Sequence, residues 1–283
     1  MPNVTGFLES ILVTITARAF DVKSNCHTVR RVDVPITGLP PALDGLRIGQ
    51  LCDLHRWKIV PRTYVERAVT LLAAEETDIV ALTGDFVDHA EYAVEYSEIL
   101  SHLTPKLGKF ACLGNHDYCG VDDVIAALEA AGVTVLRNQH QFISIDGARL
   151  CIIGLDDMGT TGSYVYHLPP RDDLSAALSG NRHSEAIRLL LVHNPDFVMK
   201  PAFAQETACC PIHLVLAGHT HGGQIYLPVI GPLFTPSRHR RLFGGGLVQT
   251  AGTLVHVSRG AGSSWPVRFN CPPEVNVLTL RRA

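Results

Sequence analysis

The chain has few charges, few aromatics and no surplus of basic residues, and each shortage narrows its class. Lys, Arg, Asp and Glu make up 18% of its 283 residues, and the net charge is −3. With a pI near 6.5, nothing global recruits duplex nucleic acid. Aromatics at 7% argue against a stacking platform for single strands. No apolar run approaches the ~20 residues that span a bilayer. The eight cysteines show no CxxC spacing. Three of them, Cys52, Cys112 and Cys151, sit inside apolar runs, so reduced thiols in a cytosolic-type compartment are expected rather than a disulfide framework. There is no internal repeat, low-complexity tract or interdomain linker.

What the chain does have is 46% hydrophobic content, enough to bury one large α/β core over residues 29–283. The low charge content also hints at broad buried or membrane-apposed surfaces. Residues 1–28 form a separate segment. Phe7, Leu8, Ile11, Leu12, Ile15 and Ala19 recur there at helical spacing. It has no positive n-region or small-residue cleavage site. Arg30-Arg31 precedes no apolar stretch, which argues against a twin-arginine export signal. The segment reads either as an amphipathic helix packed on its own domain or as one resting on a membrane interface. The expected location is cytoplasmic, with peripheral membrane contact if the second reading holds.

Along the chain, Val29–Val34 alternates like a strand, and Leu46–Cys52 is the first core strand, ending at Asp53-Leu54-His55. Pro61 opens a helix with Val65, Val69 and Leu72 on one face. Asp78–Leu82 is a buried strand that ends at Thr83-Gly84-Asp85, and Tyr92 to Leu103 is spaced as a helix. The strand Phe110–Leu113 then delivers Gly114-Asn115-His116-Asp117, and a helix through Val121 and Leu128 stops at Gly132. From Val133 the strands are short, and Phe142–Ile145 and Arg149–Leu155 flank Asp146-Gly147 as an antiparallel hairpin. Leu189–Val192 runs into His193, and His213–Ala217 into Gly218-His219-Thr220-His221. Strands return at Thr253–Val257 and Val275–Leu280.

Five apolar strands thus end in residues of one chemical family: Asp53 with His55, Asp85, Asn115 with His116, His193, and His219 with His221. Each has an ordinary explanation on its own; Asp85 can cap a helix, and a lone His193 can be a hydrogen-bonded structural residue. Together they belong to one site, because open α/β folds bind ligands beyond the carboxyl ends of their strands. Asn115 offers an amide oxygen to a metal, His116 a proton, and Asp117 a carboxylate to fix the ring of His116. Imidazoles and carboxylates without thiolate suit Mn²⁺ first, then Fe or Zn²⁺. Seven ligands exceed the needs of one open site and fit two ions ~3.5–4 Å apart, with Asp85 as the bridge.

The order Asp-x-His, Gly-Asp, Gly-Asn-His-Asp, His, Gly-His-x-His over residues 53–221 resembles the signature of the calcineurin-like metallophosphoesterases. The resemblance implies a four-layer α/β/β/α sandwich. It also implies one metal on Asp53, His55, Asp85 and His221, and a second on Asp85, Asn115, His193 and His219. Gly218–Gln224 and the tail Ser258-Arg259-Gly260 through Pro272-Pro273-Glu274 look like the bacterial branch of small membrane-associated phosphodiesterases and UDP-diacylglucosamine diphosphatases. The sequence departs from the family at Cys52 and at Arg56-Trp57, which alters the pocket rim and no ligand.

The expected reaction is hydrolysis of a phosphodiester or pyrophosphate by a metal-bridging hydroxide, with His116 protonating the leaving oxygen. Arg56 and Arg259 are candidate substrate contacts. Ile225–Phe234, followed by Arg238-His239-Arg240-Arg241, reads either as a rim facing a lipid-like or nucleotide-linked substrate or as apolar packing on the second sheet. A phosphomonoesterase, a nuclease or a non-catalytic metal-binding scaffold would share the same residues. No stable nucleic-acid partner is expected.

Overall fold

Residues that are apolar at every position make strands here only if both faces of the sheet are covered. In the computed structural model, which describes residues 26–159, 169–180, 185–263 and 267–283, this is what happens. The amphipathic stretch at 7–19 lies outside the described residues.

In chain order the elements are β1 (Thr28–Ile36), β2 (Arg47–Leu51), α1 (Arg62–Ala73), β3 (Ile79–Thr83), α2 (Glu95–Ile99), β4 (Lys109–Cys112), α3 (Val121–Ala130) and β5 (Val133–Val135). There follow β6 (Gln139–Ile145), β7 (Ala148–Gly154), α4 (Leu174–Ala177), β8 (Ile187–Leu191), α5 (Pro201–Cys209) and β9 (Leu214–Ala217). The chain ends with β10 (Tyr226–Leu227), β11 (Gly231–Pro232), β12 (Gly246–Thr250), β13 (Thr253–Val257) and β14 (Glu274–Arg282).

Two six-stranded sheets result, in the orders β1-β14-β2-β3-β4-β5 and β12-β13-β9-β8-β7-β6. Strands β2 to β5 are parallel, as are β7, β8, β9 and β13. On β3, Val80 and Leu82 pack under α1–α3, while Ile79 and Ala81 face the second sheet. On β8, Leu189 and Leu191 meet the first sheet, while Leu190 packs outward with Phe197 and Phe203. Period-two alternation between two apolar environments gives the four layers α/β/β/α. The hairpin β6–β7 turns at Asp146 (φ 46°) and Gly147 (φ 82°), the paired left-handed residues of a tight two-residue turn.

The tail strands separate: β13 joins the second sheet beside β9, and β14 enters the first between β1 and β2, antiparallel to β2. The expected helix from Tyr92 to Leu103 is α2 alone with short 3₁₀ turns on either side. No helix among the described residues is long and apolar enough to cross a membrane. None of the eight cysteines is in a disulfide.

Candidate metal centre

The strands stop at the same end of the two sheets, and the turns beyond them are crowded enough to need unusual backbone. Asp53, His55, Asp85, His219 and His221 all have positive φ, between 47° and 68°. Left-handed non-glycine residues are costly and collect where function holds them. Gly114 and Gly218 make the close approach possible. A Cβ at Gly114 would strike the Asp85 carboxylate and its backbone nitrogen, and one at Gly218 would strike the Asp53 carboxylate and the Cys52 sulfur. The two sheets are tied together at this point, since the His219 N–H donates to Asp53 Oδ1 at 3.0 Å. The His116 N–H donates to Asp85 Oδ1 at 2.9 Å.

Six of the seven expected ligands come together in two groups. Donor atoms of Asp53, His55 and His221 lie within 4.8 Å of one another, and so do those of Asp85, His193 and His219. Asp85 joins the groups: its Oδ2 lies 3.5 Å from His55 Nε2 and 3.1 Å from His193 Nε2. Asn115 contributes a buried side-chain oxygen that has no hydrogen-bond partner.

The donor set fits a pair of divalent cations. His193 Nδ1 donates to the Thr83 carbonyl at 2.9 Å and His55 Nδ1 meets Asp88 Oδ1 at 2.8 Å. With those nitrogens occupied, both rings turn Nε2 into the site, the usual arrangement of a metal-ligating histidine. His55 Nε2 faces His221 Nε2 at 3.1 Å, and His193 Nε2 faces His219 Nδ1 at 3.1 Å. Each facing pair can share only one proton, and the ionisation tendencies divide accordingly. Burial opposes the imidazolium of His193, but Asp85 beside it prevails and lifts it to about 10. Burial likewise opposes His55, and Asp88 lifts it to about 9. Burial, with His193 adding to it, pushes His219 down to about 3.

Two expectations are corrected. Asp117 was expected to orient His116, but its carboxylate points away from the ring. It accepts the backbone N–H groups of Asp85, Phe86 and Gly114 at 2.7 to 2.9 Å, and that of Val87 at 3.4 Å. It therefore shapes the turns that carry Asp85 and Asn115. The carboxylate on His116 is Asp88, whose Oδ1 lies 2.6 Å from His116 Nδ1. Asp88 is the residue that sequence reasoning missed; the signal was a second acid three positions after Asp85, in the loop that follows β3. Arg56 was expected at the substrate. Its guanidinium instead makes a two-pronged contact with Glu95, donates to the Trp57 and Val60 carbonyls, and stacks over Tyr92 at 4.3 Å. Arg259 lies nearer the site. Its stem fills the space beside Gly222, the residue after His221, and beside Gly245.

Residues 46–223 match the family profile described as Calcineurin-like phosphoesterase. The chain is 33% identical over 236 residues to the phosphodiesterase YaeI of Escherichia coli, covering 81% of this chain and 80% of that protein. It is 32% identical over 250 residues to the uncharacterized metallophosphoesterase YkuE of Bacillus subtilis, covering 86% and 82%. It is also 32% identical over 268 residues to a Bos taurus transmembrane protein with a metallophosphoesterase domain, covering 90% of this chain and 57% of that protein.

Proposed function

Since the chain belongs to the calcineurin-like phosphoesterase family and is a metal-dependent phosphoester hydrolase, we propose that its bond is a phosphodiester or pyrophosphate. The observation that carries this reading is Asp85 Oδ2 set between the two histidine groups, 3.5 and 3.1 Å from them. One metal would be held by Asp53, His55, Asp85 and His221, the other by Asp85, Asn115, His193 and His219. Mn²⁺ is the first candidate on ligand type, with Fe and Zn²⁺ next. When bound, a pair of divalent cations supplies Lewis acidity and lowers the pKa of a water from 15.7 toward ~7.

The remaining work falls to the chain's own side chains. His116 stands at the mouth of the site with 22% of its side chain exposed, and Asp88 holds its Nδ1. That leaves Nε2 to donate a proton to the departing oxygen, a contribution of typically ~10²–10⁴-fold. Burial opposes the charged ring, but Asp85 and Asp88 raise it above the ordinary histidine value, so the acid form persists to higher pH than in a free imidazole. Arg259 is the cationic contact for a substrate phosphate. With Arg56 committed to Glu95, Arg259 alone of the two expected arginines is left to meet substrate charge. That favours a diester, with one negative charge, over a monoester with nearly two.

The test compares bis-p-nitrophenyl phosphate with p-nitrophenyl phosphate in the presence of Mn²⁺. Faster hydrolysis of the diester supports the reading. Faster hydrolysis of the monoester overturns it, and hydrolysis of neither points to a scaffold. A panel of nucleotide-diphospho-lipids and cyclic nucleotides then narrows the substrate.

A further inference from the structure

Exposed large apolar side chains are concentrated in one place. Among the described residues there are ten, and eight of them fall within 225–242 and 267–269. Backbone hydrogen bonds make these segments one surface: the Tyr226 N–H donates to the Phe269 carbonyl at 2.9 Å, and the Leu233 N–H to the Ile225 carbonyl at 3.1 Å. At its outer end is the β10–β11 hairpin, with Val229 fully exposed and Phe234 73% exposed. The inner end rests on Gly223, where a Cβ would meet Pro232 and the Phe234 carbonyl at 2.5 Å. Gly223 is two residues beyond the ligand His221, so the surface borders the metal centre.

Two independent features show what this surface meets. The first is backbone strain. Val229 has φ 72°, a conformation that a β-branched residue adopts at a cost and that Gly or Asn would take freely in a tight hairpin. An apolar side chain is held at the tip against local preference. The second is charge. From 207 to 273 the sequence contains no Asp or Glu but five arginines, in a chain whose net charge is −3. Arg238, Arg240 and Arg241 are exposed beside the patch, and Arg241 also donates to the Ile230 carbonyl at 2.5 Å. Asp196, from outside that segment, bonds to Ser237, the Arg238 N–H and His239, which leaves the Arg240 and Arg241 side chains as a basic collar. An apolar tip with such a collar matches the interface of an anionic bilayer, where apolar side chains enter the headgroup region and arginines meet lipid phosphates.

We propose that residues 225–243 and 267–269 form a docking surface for an anionic lipid membrane. The surface stands apart from the reaction. Only its corollary, that the hydrolysed phosphoester is amphiphilic and drawn from the bilayer, rests on the diesterase reading above.

The experiment is sedimentation of the full chain with phosphatidylcholine vesicles, with and without phosphatidylglycerol, at low and high salt. The expected result is binding that requires the anionic lipid and weakens at high salt. The variant Val229→Asn/Ile230→Asn removes the apolar tip and relieves the strain. It should keep its thermal midpoint and its rate on bis-p-nitrophenyl phosphate while binding vesicles at least tenfold more weakly. Arg240→Gln should cost roughly fivefold in partitioning, the effect of one basic side chain near an anionic leaflet. Absence of binding to anionic vesicles at low salt overturns the proposal. Equal binding by wild type and the tip variant also overturns it, as does a dimer in solution that the tip variant dissolves, which would assign the patch to a second copy. Loss of diesterase activity with vesicle binding intact counts against the reaction alone.

Discussion

The carboxylate of Asp88 lies 2.6 Å from Nδ1 of His116, and the same oxygen lies 2.8 Å from Nδ1 of His55. One acid therefore steadies both the proposed proton donor at the mouth and a proposed metal ligand. His116→Ala should keep its metal and its stability. On an alkyl diester it should lose ~10²–10⁴-fold in rate, and less on a p-nitrophenyl diester, whose leaving group needs no proton. Equal rates for mutant and wild type on the alkyl substrate would remove His116 from the mechanism.

Asp88→Asn should do more. It removes a negative charge that raises His116, so the alkaline limb of the pH–rate profile should move to lower pH. It also loosens His55, which should weaken metal binding ~10- to 100-fold, the usual cost of removing a partner behind a ligand. A pH profile and metal titration of the one variant separate the two effects. An unmoved limb would mean that His116 does not depend on Asp88.

Asp117→Asn should behave as a structural lesion. The side chain accepts four backbone N–H groups while fully buried, and an amide cannot accept from all of them. A loss of about 3 kcal/mol is expected, measured by urea unfolding. If stability is unchanged and only the rate falls, the role assigned to Asp117 is wrong.

Stability should also fall in acid through a residue outside the candidate ligand set. His256 is buried and its Nδ1 donates to Gln50 Oε1 at 2.8 Å. Burial, with a smaller push from Arg30, lowers its pKa from 6.5 to about 4. The folded state then binds fewer protons than the unfolded state between those values. Its contribution is complete above pH ~6.5 and is lost as pH falls toward 4, amounting to about 2 kcal/mol at pH 5. His27, which burial also lowers to about 4, acts in the same direction. Unfolding free energies of wild type and His256→Asn at pH 7 and pH 5 give the contribution as a difference of slopes. Identical slopes would rule it out.

The sequence carried the candidate ligands and the layers more clearly than it carried the residues behind them. Asp53, His55, Asp85, Asn115, His193, His219 and His221 were legible because each follows an apolar run, and a polar residue at a buried strand's end needs a reason. The four layers were implied by the resemblance, and they account for strands such as β3 and β8 that are apolar on both faces. Asp88, Asp117 and Arg56 were not legible in the same way. All three sit in the connections beyond strand ends, where the fold decides which neighbour a charged side chain reaches. Chain proximity paired Asp117 with His116, whereas the turn at Gly114 points that carboxylate back at the backbone of the β3 loop. Arg56 adjoins a ligand in sequence, yet Glu95 of α2, 39 residues away, captures it. The entry of β14 between β1 and β2 was hidden for a similar reason, because a strand's composition does not name its neighbours.

The central claim is that Asp85 joins two cation sites, and metal content tests it most directly. Elemental analysis after loading with Mn²⁺ and desalting should give two ions per chain for the wild type and fewer than one for Asp85→Asn, with folded structure retained by circular dichroism. Two ions per chain in the folded Asp85→Asn variant would contradict the bridge, and with it the account of the centre.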